Sequence, residues 1–234
     1  MDRGKCIEAV FGTSFSTTVS GTGSVIVTPT PSLLPFGTLV KLSGVPQHGS
    51  YFALWGNAAS GTNNPLSFLV TNANPTVSSL FGTLNAGQFA LTVLVNGLGT
   101  VATSPSANRF SSGQSVSLVA LPDADQVFLY WSGDATGSQT NLTLAMTQSR
   151  TIIASFSRKP RLSLWECGGH PFFRGLRFLL HGEIGLRYQL ERSSDLSTWT
   201  PRTIVTNVSG TIQFDDPTIL INTQRFYRAN AILP

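Results

Sequence analysis

The chain contains the same pattern twice. Displaced by 76 residues, Gly21 and Gly23 fall on Gly97 and Gly99, Val25 on Val101, Pro29 on Pro105, Gly37 on Gly113, Leu42 on Leu118 and Pro46 on Pro122. Trp55 then falls on Trp131, Gly61 on Gly137, Leu66 on Leu142 and Thr71 on Thr147, with no gap. After one residue is dropped, Val77 and Phe81 meet Ile152 and Phe156. Matches at glycine, proline and tryptophan over this length do not arise by chance, so the two stretches share a fold and not merely a composition. A repeat of this kind restricts the chain to tandem modules, each burying its own small core and touching its neighbours. The first eleven residues, MDRGKCIEAVF, align in turn with residues 146–156, MTQSRTIIASF: Met1 on Met146, Ile7 on Ile152, Ala9 on Ala154 and Phe11 on Phe156. They read as the last strand of a further repeat whose body lies upstream, which predicts that the chain is the C-terminal part of a longer protein.

Each copy reads as β throughout. In the second, Leu91, Val93 and Val95 alternate with polar neighbours, as do Val116, Leu118 and Ala120, then Leu142, Leu144 and Met146, and Ile152, Ala154 and Phe156. Residues 96–99 (NGLG) and 72–75 carry turn chemistry, and no helical period of similar length appears. About five or six short antiparallel strands per repeat are expected. The organisation predicted is a strand at 1–11, β-repeats at 12–81 and 89–157 joined by a linker at 82–88, and a C-terminal domain at 158–234. In the last segment, strands are expected at 176–180, 186–192, 200–206, 211–214 and 225–231, with turns at 181–185, 193–197 and 215–217, the pattern of a small β-sandwich. The fold class is therefore all-β: tandem small antiparallel repeat domains plus a sandwich-like terminal domain.

Only 11% of the residues are charged, against roughly 25% in an ordinary soluble domain, with abundant hydroxyl and amide side chains in their place. That balance suits extracellular β modules. The net charge of +4 resides in the segment from Ser157 onward, where ten Arg or Lys meet six Asp or Glu. These bases are scattered through strand-like segments and form no basic stripe with a recognisable motif, so nucleic acid is not the expected partner. No run of about 18 apolar residues is present to span a membrane. Cys6 and Cys167 are far apart with no metal-ligand spacing, and a bond between them requires the two ends of the chain to meet.

From the GxG turn through a Gly-x-x-Val-x-Leu strand to Trp131-Ser-Gly-Asp134 and a closing strand ending in Phe156, the second copy resembles the divergent internalin-type B-repeat, also called the bacterial repeat domain. The first copy departs at the loop, where Gly56, Asn57 and Ala58 replace Ser132, Gly133 and Asp134. Residues 188–201 (YQLERSSDLSTWTP) and 225–234 (RFYRANAILP) resemble the short fibronectin type III-like domains that close large secreted proteins of environmental bacteria. Together these resemblances imply extracellular or surface modules that act as spacers or adhesive parts, without shared catalysis. The repeat fold is left open between a β-grasp-like sheet and a sandwich.

Candidate ligand-facing residues lie at the loops: Trp55 and Asn57 in the first copy, Tyr130, Trp131 and Asp134 in the second. Exposed indoles would stack on sugars, with Asn57 or Asp134 accepting hydrogen bonds. Buried indoles would instead pin each core, needing only one carbonyl for the N–H, and this is the favoured expectation. Between Glu8 and Asp123 there is not one Asp or Glu, so the first repeat cannot field a carboxylate acid–base pair. His48, His170 and His181 stand in separate contexts without zinc spacing. Asp123 and Asp125 with Asp134 would supply hard oxygen ligands to calcium if their two turns converged, Asp215 and Asp216 read as a turn, and Asn141 and Asn207 open glycosylation triplets. No cofactor or metal is expected. The expected function is a non-enzymatic spacer or adhesive array, monomeric, with polysaccharide or another surface protein as partner; the alternatives are a carbohydrate-binding accessory of an upstream enzyme and an export or sorting domain.

Overall fold

The computed structural model describes residues 11–30, 33–167, 175–217 and 224–232. The strand expected at 1–11 lies, but for Phe11, outside these residues, as do Cys6 and His170. Among the described residues there are strands and no helix, so the chain is all-β.

The first repeat contains β1 (Gly12–Thr13), β2 (Ser16–Ser20), β3 (Gly23–Thr28), β4 (Leu34–Pro35), β5 (Leu39–Pro46), β6 (Ser50–Asn57), β7 (Leu66–Leu69) and β8 (Thr76–Thr83). The second contains β9 (Gln88–Asn96), β10 (Gly99–Ser104), β11 (Arg109–Ser111), β12 (Ser115–Pro122), β13 (Gln126–Gly133), β14 (Asn141–Ala145) and β15 (Arg150–Arg158). The sheets coincide strand for strand. One is ordered β3-β5-β7 in the first copy and β10-β12-β14 in the second; the other is β2-β8-β6 and β9-β15-β13. The uninterrupted β9, to which β11 adds at its start, matches β1 and β2 taken together, with β4 beside β1.

Not every pairing is antiparallel. In each copy the first long strand lies parallel to the last, β2 beside β8 and β9 beside β15. Parallel neighbours need a long crossover, and here the rest of the repeat supplies it. The turn at 21–23 does not close a hairpin but carries the chain from one sheet to the other, since β2 pairs with β8 and β3 with β5. Gly21 has a φ of 84°, and a Cβ there would collide with the carbonyl oxygen of Phe81, so the corner requires glycine.

Between the two sheets of the first repeat Val40, Leu42, Phe52, Trp55, Val70, Val77 and Phe81 form the core. The corresponding side chains of the second, Val116, Leu118, Trp131, Met146, Ile152 and Phe156, are likewise buried. The alternation along β12 follows from the two-residue strand period, which points every second side chain inward.

The C-terminal segment consists of β16 (Arg161–Cys167), β17 (Leu176–His181), β18 (Arg187–Ser193), β19 (Thr200–Thr206), β20 (Thr211–Asp216) and β21 (Phe226–Ile232). Two antiparallel sheets, β16-β17-β20 and β19-β18-β21, enclose Leu180, Tyr188 and Leu190. The sequence reading lacked β16. It also placed a turn at Asp215 and Asp216, whereas both belong to β20, opposite Arg177 and Leu176. The described residues divide into two compact units, one ending at Leu121 but including Tyr130–Ser155, the other made of Pro122–Leu129 and the residues from Phe156 onward.

Candidate functional site

Both loop tryptophans are enclosed. Trp55 is 2% and Trp131 1% exposed, each on the last turnward stretch of its strand, β6 and β13. Each indole N–H donates to a carbonyl eight residues later, Trp55 to Asn63 at 2.7 Å and Trp131 to Gln139 at 2.8 Å. Each backbone N–H donates to a loop glycine, Trp55 to Gly61 and Trp131 to Gly137. The indole therefore closes its loop from both the main chain and the ring. In the first repeat it packs on Phe52, ring centroids 4.5 Å apart. A ring so enclosed offers no face to a sugar.

The remaining loop residues complete the same turn. Asn57 has a φ of 61° and its equivalent Gly133 a φ of 89°, so the position needs a left-handed backbone, which asparagine tolerates better than other side chains. At Gly133 a Cβ would collide with the carbonyl oxygen of Thr151. The next residue donates its N–H across to the final strand: Ala58 to Thr76 at 3.1 Å, Asp134 to Thr151 at 2.9 Å. In the second copy the Asp134 carboxylate also accepts the Thr151 N–H at 2.7 Å, and Arg150 donates to its carbonyl at 2.9 Å. Asp134 is exposed and Tyr130 half-buried.

The profile of the divergent InlB B-repeat domain matches residues 15–84 and 89–160, more than half of the chain. The chain belongs to that family. No match to a curated protein was found.

Between the two B-repeats lies a junction that sequence reasoning missed. Lys41 Nζ donates to the carbonyls of Gly97 and Gly99 at 3.3 and 3.2 Å. Asn108 donates its amide to the Thr62 carbonyl at 2.7 Å. The guanidinium of Arg109 lies 4.7 Å from the centre of the Tyr51 ring, close enough for a cation–π attraction. Lys41 and Arg109 are the only charged residues between Glu8 and Asp123, and both serve this junction. That isolation was the available signal. A cavity of about 350 Å³ opens beside it, lined by hydroxyl and amide residues such as Thr62, Asn63, Thr103 and Asn108 over Leu91 and Val93. Its described lining holds no ionisable side chain.

No group of three or more His, Cys, Asp or Glu able to hold a metal occurs among the described residues. Asp125, with a φ of 59°, and Asp123 shape the turn into β13. His181 stands 3.2 Å from the hydroxyls of both Ser163 and Thr211, while His48 lies in an exposed turn. Asn207, first residue of a glycosylation triplet, is fully buried and holds its own turn by accepting the N–H of Gly210 at 2.8 Å. Asn141 is exposed.

The C-terminal unit holds the densest polar chemistry. Glu191 accepts from Arg228 at 2.6 Å and Asn230 at 2.9 Å, and Arg228 lies 4.1 Å above the Trp199 ring. Asp216, fully buried, accepts the Tyr227 hydroxyl at 2.7 Å and has Arg192, Arg202 and Arg225 within 4 Å. Burial first, then the bond to Asp216, pushes the Tyr227 phenol above its ordinary range; burial does the same to Tyr188. The exposed Asp195 is held well below the usual carboxylate range by the N–H groups of Thr198 and Ser197 and the Ser193 hydroxyl.

Proposed function

We propose that the chain is a non-enzymatic portion of a secreted or cell-surface modular protein, in which B-repeats serve as spacer and adhesive elements and the C-terminal residues, 158–234, form a fibronectin-like closing domain. The observation that carries this reading is the parallel pairing of first and last strands. Because β2 runs beside β8 in the same direction, the chain enters a repeat at one end of the sheet and leaves at the other. β8 then passes to β9 through only four residues, 84–87, so copies join head to tail. The strand from Thr76 to Thr83 advances the chain by about 23 Å at the usual rise of roughly 3.3 Å per residue. The missing carboxylate pair in the first repeat and the structural use of both tryptophans support a role without catalysis. A variant with one further copy of residues 84–158 inserted after Arg158 tests it: small-angle scattering is expected to show a maximum dimension longer by about 20–25 Å. An unchanged dimension would sink the spacer reading.

Polysaccharide binding is a second reading, and it moves away from the repeat loops. Trp165 is 60% exposed on β16, with Arg177 5.7 Å from its ring. Titration with soluble polysaccharides is expected to change the emission of the wild type and not of Trp165→Phe; equal changes in both would exclude Trp165 as the platform.

A further inference from the structure

At one end of the C-terminal unit the two sheets meet over a charged corner. Thr200 on β19, Arg192 on β18 and Tyr227 on β21 form one row across neighbouring strands. Asp216 reaches that row from the end of β20 in the other sheet, 3.5 Å from Arg192, 3.8 Å from Arg202 and 3.6 Å from Arg225. One buried carboxylate thus faces three guanidiniums.

Beside this corner lies a cavity of about 260 Å³. It is lined by Arg192 and Arg225, whose guanidiniums lie 3.5 and 3.6 Å from Asp216, and by Ser194, Thr198, Thr200 and Gln224. All of these side chains offer hydrogen-bond donors, two of them cationic, and none of the described lining residues is acidic. Ser193 also lines it, but its hydroxyl donates to Asp195 at 2.9 Å. The nearby Asp195 charge is taken up by its own loop, accepting the N–H of Ser197 at 2.9 Å and of Thr198 at 2.7 Å.

We propose that this cavity binds a small oxyanion, a carboxylate, sulfate or phosphate group, held by Arg192 and Arg225 and oriented by the hydroxyls of Ser194, Thr198 and Thr200. Guanidinium forks match the planar or tetrahedral oxygens of such groups, and charge-assisted bonds are about twice as strong as neutral ones. The size points to one anionic group or sugar-acid unit, since clefts for drug-sized ligands run from about 300 Å³ upward. Asp216 is the positioning residue: it draws Arg192 and Arg225, from separate stretches of chain, to the rim. The site does not depend on the spacer reading, and the array can fail its scattering test while this cavity binds.

The test is a titration of the whole chain, labelled with nitrogen-15, with sodium sulfate, sodium phosphate or sodium glucuronate against sodium chloride at equal ionic strength. Saturable shifts confined to the signals of Arg192, Thr200, Gln224 and Arg225 are expected for at least one of the three. Saturation by sulfate or phosphate alone identifies an inorganic or ester group; tighter saturation by glucuronate identifies a sugar acid. Arg192→Gln is expected to weaken the binding about tenfold or more. Should that variant not fold, Ser194→Ala with Thr200→Val alters two exposed hydroxyls, leaves the charges in place and is expected to weaken binding several-fold. Linear, non-saturating shifts with all three salts, or affinities that the variants leave unchanged, overturn the proposal.

Discussion

If the loop tryptophan is a core pin, its removal must register as lost stability. Trp131 is buried on every side, and truncation to alanine removes the whole ring along with its bond to the Gln139 carbonyl. Deleting a buried Trp or Phe side chain costs about 3–5 kcal/mol, and the lost hydrogen bond about 1 kcal/mol more. A module of some seventy residues has only about 4–10 kcal/mol in total, at roughly 0.05–0.15 kcal/mol per residue. Trp131→Ala is therefore expected to leave the second repeat largely unfolded. Trp131→Phe separates the two contributions: the ring remains in part, while the buried Gln139 carbonyl loses its donor at a cost of about 1–3 kcal/mol. With a urea slope near 1 kcal/mol per molar for so small a unit, its midpoint falls by about 1–3 M. Far-UV circular dichroism during urea titration and calorimetry read both variants. A Trp131→Ala protein with its unfolding free energy within about 0.5 kcal/mol of wild type would refute the reasoning, because only an exposed side chain is deleted so cheaply.

The left-handed loop position gives a paired expectation. Asn57→Gly is neutral within about 0.5 kcal/mol while Asn57→Ala costs about 1–2 kcal/mol, and Gly133→Ala costs more because its new Cβ also meets the Thr151 carbonyl; melting temperatures check the order. The buried phenols set an alkaline limit. Tyr188 and Tyr227 ionise above the ordinary value near 10 when folded, so their contribution is complete below about pH 10 and is lost as the pH rises through the raised values; phenolate absorbance should show their ionisation accompanying unfolding, and ordinary titration in a still-native protein would contradict it.

How much of this was legible in the sequence depended on how far each cause lies along the chain. The repeat register and most strands were readable, because the two-residue period and the fixed Gly, Pro and Trp positions are local marks. The indole bond to the carbonyl eight residues on belongs to the same local class. The parallel β2–β8 pairing was not readable: its partners stand 60 residues apart, as Ser16 and Thr76 do, and no local pattern distinguishes the direction of a partner. Asp216 misled for a related reason. Asp-Asp-Pro has turn composition, but arginines at residues 192, 202 and 225, drawn from both sides of it in sequence, make its burial tolerable and keep it in β20. The junction was legible in principle, since two lone charges in a long acid-free stretch ask what they serve.

The two B-repeats also test each other. What both keep is the buried Trp, its two carbonyl-linked closures, the left-handed residue after the strand, and the backbone bond to the final strand. What they do not share is the carboxylate: Asp134 caps Thr151 in one copy, and Ala58 makes only the backbone bond in the other. Asp134 therefore adds to the stability of a turn that forms without it, and a ligand common to both repeats cannot rely on that side chain. Nor can it rely on the buried indoles. The features common to both copies are the sheet order and the parallel placement of first and last strands, which send the chain out at the far end of each module. On the proposed spacer reading, the shared work of the repeats is to carry the chain forward, and any recognition falls to places where the copies differ.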